Sequence, residues 1–331
     1  METKKKNLIT GGAGFIGYHL AKRLLDLGEE VTLVDNFFRS EKDKDFENLI
    51  KRPGVSFIQV DLTSPEEWSK LGSGYDYIYH LAAVNGTELF YKIPHEVLRI
   101  NILTTFNAID WFRTQNPKAK ILFTSSNEIY AGAREAFDNL PVPTSETVPA
   151  VIPDITNPRW SYAGSKLVGE QIFIHYGRQY GLRTVIVRPH NFYGPRAGHH
   201  HVIPQLISRV LKETDPFPVY GYYDKRSYCY IEDAVEAMRL VMESDKTDGQ
   251  IYHIGSHEER KANNLVECIF TAMDWRPKEL QINPSPEGSV KRRLPDISKI
   301  KKDVGWEPKI SFEEGLKTTI EWYRNNQNEH R

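Results

Sequence analysis

The chain has 331 residues, a net charge of −1, 40% hydrophobic and 26% charged residues, the profile of a soluble globular protein with room for one large α/β unit or two domains. That near-neutral balance argues against nucleic acid or an anionic membrane surface as the main partner, and no apolar run approaches the roughly 18 residues of a membrane span. Cys229 and Cys268 make neither a disulfide framework nor a zinc site, and the basic start METKKKNLITGG has no signal-peptide h-region, so a cytoplasmic protein is expected.

Short apolar runs alternate with amphipathic stretches through the first half. NLIT leads into GFIGYHLAKRLLDLG. EVTLVDN, VSFIQVD and YDYIYHLAA follow, then the helical VLRINILTTFNAIDWFR and the strand AKILFTSS. Such alternation predicts βαβ crossovers and a Rossmann-type, doubly wound parallel sheet in the α/β class. After residue 180 the order continues through RTVIVRP and then loosens into turns around Pro195, Pro204, Pro216 and Pro218. A last helix, SFEEGLKTTIEWYR, opens on a capping box of Ser311 and Glu314. There is no repeat, low-complexity tract or linker. The expected division is therefore a cofactor-binding unit over 1–188 and a smaller C-terminal α/β substrate lobe over 189–331, interleaved rather than tethered.

In ITGGAGFIG, Gly11, Gly14 and Gly17 stand three residues apart between a strand and a helix, with Phe15 and Ile16 opening that helix. Glycine permits the tight turn and the close approach of a pyrophosphate, which the helix N-terminus attracts. By itself the pattern also fits a plain strand–helix turn. Asp35, followed by Asn36, ends the next strand at the spacing where a carboxylate accepts the ribose hydroxyls of NAD and repels a 2′-phosphate. Arg39 favours NADP, but Asp35 is placed to dominate, so the expected cofactor is NAD. Asp61 and Leu62 follow the third strand, toward the adenine. Leu81 and Ala82, in HLAA, end the fourth strand beside the nicotinamide ribose.

NPRWSYAGSK supplies Tyr162 and Lys166, four residues apart and so on one helix face. An ammonium beside a phenol favours the phenolate and lowers the tyrosine pKa, as a base for hydride transfer requires. Tyr18 and Lys22 repeat the spacing, but on the exterior of the helix after the glycine turn. The later copy follows the serines of FTSSNE, which is the context that matters.

The ordered series TGGAGFIG, VDN, HLAA, SSNEIY, YAGSK, RPHNFYGPR, RSYCYIED and GWEPK, from Leu8 to Trp322, resembles extended short-chain dehydrogenases/reductases of the NAD-dependent epimerase/dehydratase family, which act on nucleotide sugars. The resemblance implies that Ser126 binds the sugar hydroxyl, Tyr162 removes its proton, and Lys166 holds the tyrosine and the nicotinamide ribose. It implies oxidation at sugar C4 and then epimerisation, dehydration or decarboxylation. VDNFF, PRWSYAGSK (with Arg159) and RRLPDISK resemble the UDP-glucuronate decarboxylase branch, where Glu128 and Arg293 lie near sugar C5 and C6. Relatives with dehydratase activity carry an Asp–Glu pair in the serine turn. Here Asn127 replaces the Asp, which puts loss of water by that route in doubt and leaves Glu128 as a C5 base, a water-positioning group or a solvated surface charge.

The resemblance further places Asn191 at the substrate diphosphate, Val202 near the nucleotide and Arg226 at a phosphate, although a lone arginine is usually exposed. His199, His200 and His201 lack metal-pair spacing, so no metal is expected; Cys229 reads as packing. The Pro-rich stretch 131–160 is long enough to suggest a substrate cover. Leu167, Ile172 and Ile174 on the Tyr162 helix suit either a homodimer seam or the core. The competing readings are a non-catalytic NAD(H)-binding protein of this fold, a 4,6-dehydratase and a 4-keto reductase.

Overall fold

The computed structural model describes residues 4–137, 140–199, 201–285 and 292–326. In chain order the first half runs β1 (Lys6–Thr10), α1 (Phe15–Asp26), β2 (Glu30–Asp35), α2 (Lys44–Leu49), β3 (Val55–Gln59), β4 (Tyr77–His80), α3 (Thr87–Lys92), α4 (Pro94–Gln115), β5 (Lys120–Thr124), α5 (Ala133–Phe137), α6 (Ser161–Tyr180) and β6 (Arg183–Pro189). The second half adds β7 (Phe192–Tyr193), α7 (Val202–Leu211), β8 (Phe217–Tyr220), β9 (Lys225–Ser227), β10 (Cys229–Tyr230), α8 (Ile231–Glu243) and β11 (Ile251–Ile254). It ends with β12 (Glu259–Lys261), α9 (Ala262–Met273), β13 (Leu280–Asn283), β14 (Arg292–Arg293), α10 (Ser298–Val304) and α11 (Phe312–Asn325).

Seven parallel strands form the main sheet in the order β11-β6-β5-β4-β1-β2-β3. Strands such as KNLIT and KILFT are buried along nearly their whole length, as expected when helices cover both faces of a parallel sheet. On one face α1 and α8 pack Leu20, Leu24, Val235 and Met238 over Ile9, Leu33 and Val185. On the other, Phe173 of α6 stacks on Phe123 at 4.8 Å beside Ile78 and Ile121. Gly169 permits that approach, because a Cβ there would sit 2.3 Å from the Phe123 ring. Emptying either phenylalanine site would cost about 3–5 kcal/mol.

The strand order reverses between β1 and β4, and the register sets Thr10 opposite His80 and His80 opposite Phe123. The carboxyl ends of these strands therefore open side by side, which is where ligands bind in open α/β sheets. The chain returns to the main sheet with β11, so residues after 189 contribute a strand to it as well as forming the smaller sheets.

Two expected turns are instead regular structure. Pro204 is in the first turn of α7, where a missing N–H costs nothing, and Pro218 lies in β8, which pairs on one side with β13 alone. The capping box of Ser311 and Glu314 starts α11 as the sequence predicts. Ile172 is buried in the core and Ile174 packs against it, so those two residues serve the interior rather than an outer seam.

Candidate active site

A cleft of about 1020 Å³ runs across the carboxyl ends of β2, β1, β4 and β5. Its floor is the glycine turn. Gly11 has φ +70°, and a Cβ there would lie 3.0 Å from Ala82 Cα; a Cβ on Gly17 would lie 2.4 Å from the Gly11 carbonyl oxygen. These two glycines set the turn and the helix approach. Gly14 caps α1 with no side-chain hydrogen bond, and the first turn of α1 holds no acidic residue. Its N–H groups and dipole are left for an anion, so the residues fit a dinucleotide pyrophosphate.

Asp35 accepts from Ala13 N at 3.0 Å and from Phe37 N and Ser40 Oγ at 2.8 Å, which ties the glycine turn to the loop after β2. Phe15, Ile16, Asn36, Asp61, Leu62, Leu81 and Ala82 line the same cleft. Leu62 is buried, with its side chain in the core beneath β3. The amides of Leu81 and Ala82 donate to Thr10 Oγ1 at 3.2 Å, fixing the end of β4 against β1.

Beyond β5, Ser126 caps the 3₁₀ turn Asn127–Tyr130, its Oγ accepting from Glu128 N at 3.2 Å, and its hydroxyl stands near enough to the Tyr162 phenol to favour the phenolate. Lys166 donates to the Thr124 carbonyl at 2.7 Å and sits 5.7 Å from the Tyr162 ring centroid. Phe90 of α3 stacks on that ring at 5.1 Å. The expected lowering of the tyrosine pKa by Lys166 is not what this geometry gives. Burial and the nearby Glu128 carboxylate push the Tyr162 phenol up, while Ser126 and Arg39 act the other way. Burial also pulls Lys166 down to about 7, and its amine donates to the Thr124 carbonyl.

Glu128 is clamped, not solvated. Arg159 Nη2 and Arg293 Nη1 donate to its two oxygens at 2.7 and 2.6 Å. Burial alone would raise its pKa, but the two guanidinium groups outweigh it and hold the carboxyl at about 2. Asn127 Oδ1 accepts from Arg293 at 3.3 Å, while Asn127 Nδ2 and Arg159 Nη1 are buried without partners. Arg159 rests against the rings of Phe90 and Trp160, each at 5.5 Å.

Asn191 lines the cleft with φ +44°, its amide donating to the Ser227 carbonyl at 3.0 Å. Three expected substrate contacts lie off the cleft wall: Arg159 behind Glu128, Val202 exposed at the start of α7, and Arg226. Arg226 is paired with Asp224 at 3.2 Å and stands opposite Arg293 in the β9–β14 register. The described part of 131–160 does not cover the cleft either; residues 138 and 139 lie outside the described residues. Thr144 instead bridges to Pro295 and bonds Leu294, bracing the strand that carries Arg293. The 84–90 segment, including the first turns of α3, forms that wall.

His199 and His201 line the cleft and His200 lies outside the described residues; no group of three His, Cys, Asp or Glu among the described residues is placed to hold a metal ion. Cys229 is buried in the core, as expected from its setting. Lys22 is exposed and Tyr18 half-buried under the Arg196 guanidinium, away from Ser126. Sequence reasoning missed Arg196 itself. It pairs with Asp43 at 2.7 Å and reaches the Ala13 carbonyl at 3.3 Å, so an arginine from the second half braces the cofactor turn. It also missed Phe90, because the six residues of α3 are too few to show a helical period.

Sheet order, glycine turn and the Ser–Tyr–Lys constellation together define an NAD-dependent enzyme of the short-chain dehydrogenase/reductase type. Residues 7–255 match the NAD dependent epimerase/dehydratase family. The chain belongs to that family. It is 33% identical to the UDP-N-acetyl-alpha-D-glucosaminuronate decarboxylase of Bacillus cytotoxicus over 98% of this chain and 100% of that one. It is 32% identical to UDP-glucuronic acid decarboxylase 6 of Arabidopsis thaliana over 98% and 90%. Among solved structures, UDP-glucose 4-epimerase from Thermotoga maritima, determined with UDP-glucose, superposes with a TM-score of 0.84 at 29% identity, covering 98% of this chain and 100% of that one. The dTDP-glucose 4,6-dehydratase of Streptomyces venezuelae, determined with NAD, gives 0.86 at 25% identity, covering 97% and 98%.

Proposed function

We propose that this NAD-dependent, nucleotide-sugar-modifying enzyme is a decarboxylase of a nucleoside-diphosphate uronate. The observation that carries the reading is the buried Arg159–Glu128–Arg293 cluster next to Ser126 and Tyr162. With the positively charged nicotinamide ring of NAD beside it, the Tyr162 phenol would ionise more readily than in cofactor-free protein, and its phenolate, next to Ser126, takes the proton of the C4 hydroxyl. Bound NAD supplies the hydride acceptor and later the donor. The 4-ketone makes the uronate a β-keto acid, so the C5–C6 bond breaks with its electron pair moving toward the ketone and carbon dioxide leaving.

The Arg293 guanidinium, on the cleft wall near Ser126 and Tyr162, suits recognition of a carboxylate, and Arg159 backs Glu128 from behind. A substrate carboxylate drawing on Arg293 loosens its hold on Glu128. The Glu128 pKa then rises and the group becomes able to pass a proton. Asn127 offers no acid for loss of water. The same buried cluster argues against a pure NAD(H)-binding protein, which has no use for it.

The test is incubation with NAD and UDP-uronates or UDP-hexoses, followed by product mass and NMR. Loss of carbon dioxide from a uronate is expected. A product of unchanged mass, or one that has lost water, overturns the assignment.

We also infer a homodimer through α4 and α6, which meet at Phe106 and Tyr176 and leave Leu98, Leu103, Phe106 and Val168 exposed. Phe106→Asp should shift sedimentation from dimer to monomer; an unchanged dimer refutes this seam. We further infer a reducing cytosol, a reading that the two free cysteines support. No helix among the described residues is long and apolar enough to cross a membrane.

A further inference from the structure

Arg39 belongs to the loop after β2, yet its guanidinium lies against Gly86 in the segment after β4. A Cβ on Gly86 would stand 3.1 Å from Arg39 Nη1. In the sheet, β1 lies between β2 and β4. Arg39 and Gly86 both line the cleft that has the glycine turn as its floor. The end of β1 is the glycine turn and the open N-terminus of α1. Arg39 thus bridges two walls of the cleft, from the loop after β2 to Gly86, with the glycine turn in the same cleft and the Tyr162 phenol its electrostatic neighbour.

The electrostatic setting agrees. Among the described residues Arg39 has no carboxylate partner, although neighbouring charges at the cleft rim are paired: Arg196 with Asp43, and Arg293 with Glu128. Its loop is held in place by the Ser40 Oγ bond to Asp35 at 2.8 Å. Gly86, with φ +124°, leaves the room that the guanidinium occupies. An unpaired, planar five-donor cation facing a cleft floor built for an anion is matched to phosphate oxygens.

We propose that Arg39 is a positioning residue that closes over the diphosphate of the bound dinucleotide and slows its release. The role differs from the 2′-phosphate recognition its neighbourhood of Asp35 suggests, and it deepens the reading of the enzyme as one that keeps its cofactor through a complete redox cycle. It rests on that reading only in the identity of the dinucleotide.

The test measures equilibrium binding and dissociation of NADH, ADP-ribose and AMP on wild type, Arg39→Gln and Arg39→Lys, with circular dichroism to confirm folding. Loss of one charge-assisted contact predicts NADH and ADP-ribose weakened about 10- to 100-fold in Arg39→Gln, mostly through faster dissociation. AMP, which lacks the diphosphate, should bind as before, and Arg39→Lys should fall between. Added salt should weaken NADH binding more in wild type than in Arg39→Gln. Unchanged NADH and ADP-ribose affinity overturns the proposal. So does a loss confined to NADPH, which marks a 2′-phosphate site, or a loss confined to UDP, which marks a substrate contact. Wild-type protein that binds no NADH would instead defeat the cofactor reading itself.

Discussion

Two groups of buried ionisable residues meet in the cleft and are treated in opposite ways. Around Tyr162 and Lys166 the fold supplies burial and little compensating charge, so the phenol is pushed up and the amine down to about 7. Tyr162 is thereby held protonated in cofactor-free protein, while Lys166 gains and loses its proton near neutral pH. Around Glu128 the fold supplies two guanidinium groups at hydrogen-bond distance, and the carboxyl is held ionised. Lys166 is ready to titrate, and Glu128 stays charged until something with a competing charge arrives. Placing them side by side separates the shared first step, oxidation at C4, from the step that decides the product.

The contrast breaks most decisively at Tyr162. Tyr162→Phe removes the proton acceptor but leaves the ring on Phe90. Turnover should fall about 10³-fold or more, with NADH affinity unchanged by fluorescence titration. A rate within a factor of about ten of wild type would put the proton transfer elsewhere.

Arg293→Ala should act on the other cluster alone. Activity on a uronate is expected to drop about 100-fold in kcat/KM, in keeping with the loss of one partner of a buried charge pair. The first oxidation of a nucleoside-diphosphate hexose without a carboxylate, followed as a burst of NADH absorbance, should change little. Equal losses on both substrates would mean that Arg293 supports the whole site rather than the carboxylate. Arg293→Lys restores the charge but not the fork, so it should recover only part of the uronate activity.

The sequence makes the cofactor side legible because its residues are close neighbours along the chain or end successive strands. Gly11 to Gly17, Asp35 and Ala82 each follow a recognisable apolar run. The charge cluster is assembled from three distant segments, a 3₁₀ turn after β5, the turn before α6, and the two-residue strand β14. No periodicity links residues 128, 159 and 293, so resemblance could nominate them but not their mutual ion pairs. Arg159 was expected to face substrate and instead stands behind Glu128. The 131–160 stretch was expected to cover the cleft; its role as a brace depends on Thr144 finding Leu294 far along the chain. The pKa of Tyr162 was misjudged for a related reason. Spacing on a helix reports which side chains are neighbours, not how deeply they are buried.

The smallest effect, and the one that reads both clusters in one experiment, is the pH dependence of stability in cofactor-free protein. Glu128 has a folded pKa of about 2 against 4.5 for the free side chain. Its contribution is therefore fully present above 4.5 and is lost as pH falls through that window toward 2, on the order of 3 kcal/mol at about 1.4 kcal/mol per unit. Lys166 also titrates lower in the folded state, about 7 against 10.5, but for the opposite reason: burial opposes its charge. The unfolded chain binds the extra proton between pH 7 and 10.5, so stability rises with pH across that range, by at most about 1.4 kcal/mol per pH unit. Denaturant melts should then show two rising segments. Glu128→Gln should flatten the acid segment and leave the alkaline one, while also lowering stability at neutral pH, because two buried guanidinium groups lose their anion. Lys166→Met should do the reverse, flattening the alkaline segment and leaving the acid one. A Lys166→Met variant with an unaltered alkaline slope would mean that the amine is charged in the folded protein, and the Tyr162 cluster would then be ion-paired like its neighbour.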